Sequence, residues 1–370
     1  MAKDSGLPAS QRLVSLDALR GFDMFWIVAA EGVVRALHTI TPGGPVGFVA
    51  RQLQHVPWQG LRFYDLIFAL FVFIVGVSMV FSLSKSIKEA GTPATYRKIV
   101  RRALLMFLLG IFYYGGLSKG IKGIRLLGVL QRIALAYLFS GLIFTSCRPR
   151  GMVIACVSLL VGYWAMMMFV PVPGVGTGCF EPGRNLAHYV DSRFLPLKKY
   201  GGTWDPEGLL STIPAIGTCL IGVFAGLLLK RIDIQPQKKV LILLGSGVAG
   251  VALGYLWGMQ FPIIKVLWTS SYVLAAGGYS CILLAVFYQV VDIWQFRRWA
   301  IPFVWIGMNS ITIYVSRKII DYDKVADRLV GGPIKAAFGR YDELVVAITV
   351  ALLIFALARF LYRRQIFLRL

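Results

Sequence analysis

Apolar residues occur in ten long runs along this 370-residue chain, and polar residues gather in the connections between the runs. Most runs approach or reach about 17–25 residues, the length of a helix that crosses the hydrocarbon core of a bilayer. The pattern predicts transmembrane helices at 18–37, 66–83, 103–117, 126–146, 152–169, 210–229, 240–257, 266–291, 301–315 and 344–362. We therefore expect an all-α integral membrane protein, with residues 1–370 forming a single polytopic domain.

The composition agrees with a membrane protein. Hydrophobic residues make up 57% of the chain and charged residues 15%, and the mean hydropathy is +0.71, which is unusual for a soluble enzyme. The net charge of +22 comes from basic residues scattered over the connections. Such scatter favours contact with anionic lipid headgroups, and it argues against nucleic acid as a partner.

Lys and Arg residues predict the orientation. They concentrate in alternate connections, which the positive-inside rule assigns to the cytoplasm. These residues are Lys85, Lys88, Arg97, Lys98, Arg101, Arg102, Arg148, Arg150, Lys230, Arg231, Lys238, Lys239, Arg297 and Arg298. An even number of spans then places both termini in the cytoplasm. Two predicted outer segments depart from the rule. One holds Lys119, Lys122 and Arg125, and the other runs from Arg317 to Arg340, where Asp321, Asp323 and Asp327 dilute the positive charge.

The first span carries charges that are expensive in a bilayer, about 2.5–3.5 kcal/mol each at a helix centre. Arg20 and Glu31 are about three helical turns apart and share one face. Arg20 therefore either contributes to a functional site or forms an internal ion pair with Asp17 or Asp23. The outer segment 170–208 is too long for a simple turn, and its aromatic and proline residues favour a packed lid.

Seven short blocks occur in a fixed order along the chain. They are Ser15-Leu16-Asp17-Ala18-Leu19-Arg20-Gly21, His55-x-x-Trp58-x-Gly60, Gly128-Val129-Leu130-Gln131-Arg132, Val172-Pro173-Gly174, Asp205-Pro206-Glu207-Gly208, Leu267-Trp268-x-x-Ser271-Tyr272-Val273 and Gly307-Met308-Asn309-Ser310. Together they resemble the heparan-alpha-glucosaminide N-acetyltransferase family, including its bacterial relatives, over nearly the whole chain.

The resemblance implies a transmembrane acetyltransferase. Members of that family take acetyl from acetyl-coenzyme A on the cytosolic side and deliver it to the amino group of a terminal glucosamine across the membrane. For this chain it implies a bacterial inner-membrane protein with an amino-sugar acceptor, whose exact identity stays open, as does a homodimer. The five cysteines and three histidines show no metal-ligand spacing, so we expect no metal.

His55 matches the family's proposed active-site histidine. An imidazole exchanges its proton near neutral pH, so it suits removal of a proton from the attacking amine, and it could equally take the acetyl group itself. Asp65, at the mouth of the next span, is predicted to orient the ring or to cap the helix. His55 and Asp65 are the predicted catalytic residues.

The remaining candidates fall into two sets. Arginines make bidentate contacts to phosphate, and polar groups within spans either line a donor tunnel or join helices. The predicted donor-binding residues are Arg20, Gln131, Arg132, Asn309 and Ser310. Aromatic faces bind sugars, and carboxylates attract an ammonium or cap a helix. The predicted acceptor-binding residues are Trp58, Asp205, Glu207, Trp268 and Ser271.

Two other functions fit some of the same features. Charges at mid-membrane depth and helices interrupted by glycine are also typical of secondary transporters for sugars or organic anions, although the two halves show no internal repeat. O-acylation of an envelope glycan is the second alternative, because other membrane acyltransferases open with a block similar to residues 15–21.

Overall fold

The computed structural model describes residues 13–41, 43–118 and 120–368. Within them the fold is all helical, and strand pairing is limited to isolated bridges. The helices are α1 Val14–Phe25, α2 Glu31–Ile40, α3 Gly44–Gln52, α4 Phe63–Tyr113, α5 Val129–Ser146, α6 Pro149–Phe169, α7 Leu186–Phe194, α8 Thr212–Lys230, α9 Pro236–Gly258, α10 Ser270–Phe287, α11 Ile301–Met308, α12 Ser310–Ile319, α13 Tyr322–Val330, α14 Pro333–Ala337 and α15 Asp342–Arg363. The predicted all-α fold is confirmed for these residues.

Seven helices of the described chain are long and apolar enough to cross a membrane. A pair bent by 65°, Arg298–Met308 and Ser310–Ile319, brings the count to eight if it forms one broken span. The predicted count of ten is therefore not confirmed, and the orientation of the termini stays a prediction.

Helix α4 accounts for part of the difference in count. It has 51 residues, or about 77 Å at 1.5 Å per residue, far more than the roughly 30 Å of hydrocarbon in a bilayer. Its backbone leaves the helical region at Gly91, where φ is +79°, and Pro93 follows. The predicted spans 66–83 and 103–117 lie on opposite sides of this break. Basic residues flank it, as the positive-inside rule would place them at a membrane surface.

The described residues form two compact units. The unit that contains Gln54–Asp233 and Gly245–Cys281 packs α4 against α5 and α8. Glycines bring α4 and α8 close together: a Cβ at Gly76 would collide with the carbonyl of Cys219, and one at Gly222 with the carbonyl of Phe73. Small residues at a crossing are the usual way for membrane helices to gain van der Waals contact, since lipid supplies no hydrophobic driving force between them.

The other unit contains the described residues before Gln54, Ile234–Leu244, and 282–368. Here α1 and α11 approach through Gly21 and Gly307, whose added Cβ atoms would collide with the facing carbonyls. The predicted first span is confirmed as helical, but a π-helix at Trp26–Ala30 separates α1 from α2. The predicted span 301–315 is interrupted at Asn309, which ends α11 with φ −122° and ψ 24°.

The segment 170–208 contains α7, which begins after Asn185. The Asn185 side chain accepts the backbone N–H of His188 at 2.9 Å, an ordinary N-cap. Leu186, Ala187, His188 and Asp191 are buried, so α7 packs against the protein, and the role of the segment as a lid stays a prediction. Its position outside the membrane stays a prediction.

Candidate active site

His55 and Asp65 form a hydrogen bond of 2.8 Å between Nδ1 and Oδ1. His55 lies in the connection before α4, and Asp65 lies in the first turn of that helix. The second carboxylate oxygen, Oδ2, accepts the backbone N–H of Arg62 at 3.1 Å and of Val56 at 3.3 Å. Asp65 therefore both caps α4 and holds the imidazole, so the two alternatives drawn from the sequence coexist in one carboxylate.

The two members of this pair differ in exposure. The side chain of Asp65 is 1% exposed and that of His55 is 52% exposed. A neutral imidazole that donates Nδ1–H to a carboxylate carries its lone pair on Nε2. The arrangement thus fixes one edge of the ring in the protein and leaves the other edge open to a reactant. The Tyr64 ring, 4.8 Å away between centroids, packs beside it.

Lys265 is a third member of the site that the sequence prediction missed. Its Nζ lies 3.0 Å from Nδ1 and 3.3 Å from Nε2 of His55, and 3.6 Å from Oδ1 of Asp65. Burial lowers the pKa of Lys265, although the charges of Asp65 and Glu207 raise it in part. One signal was present in the sequence: Lys265 is the single Lys or Arg of the short connection between the predicted spans 240–257 and 266–291.

Backbone contacts hold these elements in register. Gly60, with φ +118°, donates its N–H to the carbonyl of Ile263 at 2.9 Å, which ties the His55 connection to the segment carrying Lys265. On α10, Tyr272 donates its hydroxyl to the Asp65 carbonyl at 2.7 Å. The site is therefore built on fixed backbone.

Trp58 lies in an aromatic cluster close to His55 in sequence. Its Nε1–H donates to the carbonyl of Phe180 at 2.9 Å, and its ring makes edge contacts with His188 and Trp204. His188 and Trp204 stack at 4.0 Å with a 7° angle between their planes. Burial lowers the pKa of His188 to about 4, so its imidazole is neutral near physiological pH. Trp58 is partly exposed, and its role in sugar binding stays a prediction.

Asp205 and Glu207 are not the free surface carboxylates that the sequence suggested. Arg125 binds Asp205 through two hydrogen bonds of 2.8 and 2.5 Å and reaches Glu207 at 2.5 Å. All three residues are buried. Arg125, the cation that departs from the positive-inside rule, therefore has a structural explanation. A role of the two carboxylates in binding an amino group stays a prediction.

The pKa values of the two carboxyl groups in this network move in opposite directions. Burial raises the pKa of Asp205, but the hydrogen bond and charge of Arg125 outweigh burial and leave it below its ordinary value. For Glu207, burial is the largest effect and raises the pKa, although Arg132 and Arg125 lower it in part. The pKa of Arg125 is lowered by burial and raised more strongly by the Asp205 hydrogen bond and the two carboxylate charges, so the net change is a rise.

Arg132 and Trp268 lie together in the interior. Arg132 donates to the Pro206 carbonyl at 2.9 Å and to Ser211 Oγ, and its guanidinium lies 4.8 Å from the Trp268 ring centroid. Trp268 is fully buried and donates Nε1–H to Thr218 at 3.0 Å. The expectation that Trp268 offers a face to a sugar at the outer surface does not hold in this structure, because protein groups cover the ring.

Gln131 and Ser271 are buried as well. Gln131 donates to the Arg125 carbonyl at 3.3 Å, and its Oε1 has no hydrogen-bond partner among the described residues. Ser271 donates to the carbonyl of Phe261 at 2.5 Å. Both contacts are structural, so binding roles for these residues stay predictions.

The comparisons with known proteins bear on this geometry. Residues 12–249 match the family model described as heparan-alpha-glucosaminide N-acetyltransferase, catalytic. The chain belongs to the heparan-alpha-glucosaminide N-acetyltransferase family. The match includes His55, Asp65 and the Arg125 network, and it ends before Lys265.

Two curated relatives, both named heparan-alpha-glucosaminide N-acetyltransferase, support the family assignment. The human protein is 29% identical over 384 aligned residues, covering 86% of this chain and 54% of the relative. The mouse protein is 27% identical, covering 72% of this chain and 49% of the relative. The chain thus spans about half the length of these relatives.

The other predicted donor residues of this family member lie in the unit with α1 and α11. Arg20 contacts Asp17 at 3.2 Å and donates to the Gly307 carbonyl at 3.3 Å. The ion-pair alternative for Arg20 is thus present in the structure. Asn309 is buried at the bend between α11 and α12, and its side-chain amide has no hydrogen-bond partner within the described chain. Ser310 begins α12 and is buried.

Metal and disulfide chemistry receive no support from the described residues. No group of three or more His, Cys, Asp or Glu side chains there could hold a metal ion. Cys147, Cys156, Cys179, Cys219 and Cys281 are all free thiols.

Proposed function

We propose that this chain is an integral membrane acetyltransferase that transfers acetyl from acetyl-coenzyme A to the amino group of a glucosamine-type sugar. The family and the names of its relatives support N-acetylation. The observation that carries the proposal is the hydrogen bond of 2.8 Å between His55 and Asp65, because it presents an oriented imidazole to a reactant. Delivery of the donor from the cytoplasm and of acetyl to the outer face rests on the predicted topology.

The transfer has two balanced routes through His55. In direct transfer, the amine nitrogen attacks the thioester carbonyl carbon, the C–S bond breaks, and Nε2 takes the proton that the amine loses. That proton then passes to the coenzyme A thiolate. In the second route, Nε2 attacks the thioester carbonyl carbon, the C–S bond breaks and the coenzyme A thiolate leaves. The amine nitrogen then attacks the acetyl-imidazole, the C–N bond to Nε2 breaks, and the proton lost by the amine passes to the thiolate. Both routes need a neutral ring whose Nδ1–H is held by Asp65.

Donor and acceptor binding need groups beyond this pair. For the acceptor we propose Trp58, the one predicted aromatic that keeps partial exposure, beside the His55 connection. Asp205 and Glu207 remain candidates for attracting the ammonium, although Arg125 already binds them. For the donor, the buried amide of Asn309 is the best candidate, because its polar atoms lack partners among the described residues.

Acetyl transfer by purified protein tests the proposal. The protein would be incubated with acetyl-coenzyme A and either glucosamine or glucose, and products would be identified by mass spectrometry. We expect N-acetylglucosamine and little acetylated glucose. Acetylation of glucose at a similar rate would favour the O-acyltransferase alternative. Uptake of glucosamine into proteoliposomes without acetylation would favour the transporter.

A further inference from the structure

Lys265 lies on a rigid connection between α9 and α10. Phe261, Ile264 and Leu267 on this connection are almost completely buried, and the Tyr163 hydroxyl donates to the Leu267 carbonyl at 2.6 Å. The lysine side chain itself is only 19% exposed. Its ammonium is therefore held beside the His55 ring by packed backbone, rather than reaching it from a mobile surface loop.

The contacts of Lys265 restrict the charge on His55. Nδ1 donates its hydrogen to Asp65 and an ammonium can only donate, so the position of Nζ at 3.0 and 3.3 Å from the two ring nitrogens is a charge contact with the ring. A protonated imidazole has no lone pair and would place a second cation against the first. Asp65 accepts the hydrogen bond of the ring and lies 3.6 Å from Nζ, at ion-pair distance.

We propose that Lys265 is the cationic partner of the His55–Asp65 pair, which opposes a second positive charge on the imidazole and faces the negative charge that develops on the acetyl carbonyl oxygen. The proposal rests on the proposed function. It gives a role to Lys265, which lies outside the family match at residues 12–249. A carbonyl carbon attacked by Nε2, or by an amine hydrogen-bonded to Nε2, lies close to the Lys265 ammonium. A fixed positive charge at this place stabilises the oxyanion that the attack creates.

The other ionisable groups around the pair have definite positions. Tyr64 packs on the ring, and Arg62 donates to the His55 carbonyl at 3.3 Å. Tyr272 contacts Asp65 only through the backbone carbonyl, and Glu207 adds a negative charge near Lys265. Arg62 directs its donor at the backbone, so Lys265 is the cation whose contacts are with the ring nitrogens themselves.

The first test measures the protonation of His55 without any acetyl transfer. Diethyl pyrocarbonate modifies neutral imidazole, and mass spectrometry of the peptide containing His55 would follow modification against pH. In Lys265→Met protein we expect the midpoint of modification to move to higher pH, because the neighbouring cation is gone while Asp65 remains. Lys122→Met, which removes an exposed lysine, serves as the control.

The second test measures catalysis with saturating acetyl-coenzyme A and glucosamine. We expect Lys265→Met to lower kcat about 10²-fold, with a much smaller change in KM, since a charge that acts on the transition state is lost. Lys265→Cys treated with 2-bromoethylamine restores an amine of nearly the same length. This treatment should recover kcat and the original pH midpoint, with treated wild type as reference for the native thiols.

The outcomes separate this proposal from the proposed function. An unchanged modification midpoint in folded Lys265→Met protein overturns the role of Lys265, whatever the enzyme does. Loss of kcat that aminoethylation does not restore, with an unchanged midpoint, also overturns it. A shifted midpoint in a protein that acetylates no amino sugar supports the charge coupling and refutes the proposed function instead.

Discussion

Replacing Asp65 with Asn isolates the orienting role of the carboxylate. The amide oxygen of Asn can still accept the backbone N–H groups of Val56 and Arg62, so the cap of α4 should persist. The amide NH₂ cannot accept Nδ1–H of His55, and it favours the tautomer with the proton on Nε2. That tautomer lacks the lone pair that the reaction needs.

The size of the effect follows from the geometry. Hydrogen bonds to charged groups contribute about 1.5–3 kcal/mol, and the same substitution in Ser-His-Asp sites costs about 10⁴-fold in kcat. The His55 ring is 52% exposed, so water competes for it and weakens the control of its tautomer. We therefore expect kcat of Asp65→Asn to fall about 10²–10³-fold, equivalent to about 3–4 kcal/mol in activation free energy.

The assay is the initial rate of N-acetylglucosamine formation with both substrates saturating. Asp233→Asn, which changes an exposed carboxylate paired with Arg231, is the matched control. Gel filtration and thermal unfolding would establish that the Asp65→Asn protein is folded. A folded variant with kcat near that of wild type would refute the claim that Asp65 sets the working tautomer of His55.

Three further predictions concern stability, measured by thermal unfolding of detergent-solubilised protein. Arg125→Gln should lower the free energy of unfolding by about 3–5 kcal/mol, because two buried carboxylates lose their cation, whereas Lys122→Gln should have little effect. Gly222→Ala should cost about 1–3 kcal/mol, because its Cβ meets a carbonyl of α4, whereas Gly245→Ala has open space. The free energy of unfolding should fall as pH drops from about 6.5 to 4, and His188 should account for at most about 3 kcal/mol of this fall. Over this range the His188 imidazole binds a proton in the unfolded chain, whereas the buried imidazole, with a pKa of about 4, stays neutral. His188→Phe should flatten that dependence.

Each of these has a contrary outcome. Equal losses for Arg125→Gln and Lys122→Gln would mean that the buried ion pair contributes no more than an exposed lysine. A Gly222→Ala protein as stable as Gly245→Ala would show that α4 and α8 adjust their spacing freely. A His188→Phe protein that loses stability on acidification as steeply as wild type would assign the effect to other groups.

The sequence predicted the apolar helices well because bilayer-length runs are a local property. It did not predict where helices continue or break. Two predicted spans lie in α4 on either side of Gly91, and the span at 301–315 is divided at Asn309. The helical continuation of α4 past its basic residues and the bend at Asn309 depend on packing between helices. Hydropathy along the chain does not contain that information.

In the site, contacts between residues close in sequence could be predicted, and contacts between residues far apart in sequence could not. His55 and Asp65 are ten residues apart, within reach of an argument about a loop and the helix that follows it. Lys265 is separated from His55 by 210 positions, and Arg125 from Asp205 by 80. Only the fold brings these cations to their partners. Arg125 gave a sequence signal by departing from the positive-inside rule, and Lys265 gave one only as the single cation of its connection.

Acetyl transfer by the His55→Ala protein, measured beside His38→Ala, tests the central claim most directly. The expected result is a rate about 10²–10⁴-fold below wild type for His55→Ala, since the base or acyl acceptor is gone, and a nearly normal rate for His38→Ala. Folding and acetyl-coenzyme A binding, measured by gel filtration and calorimetric titration, should be preserved in both variants. A folded His55→Ala protein that acetylates glucosamine at the wild-type rate would contradict the assignment of His55 as the reacting group.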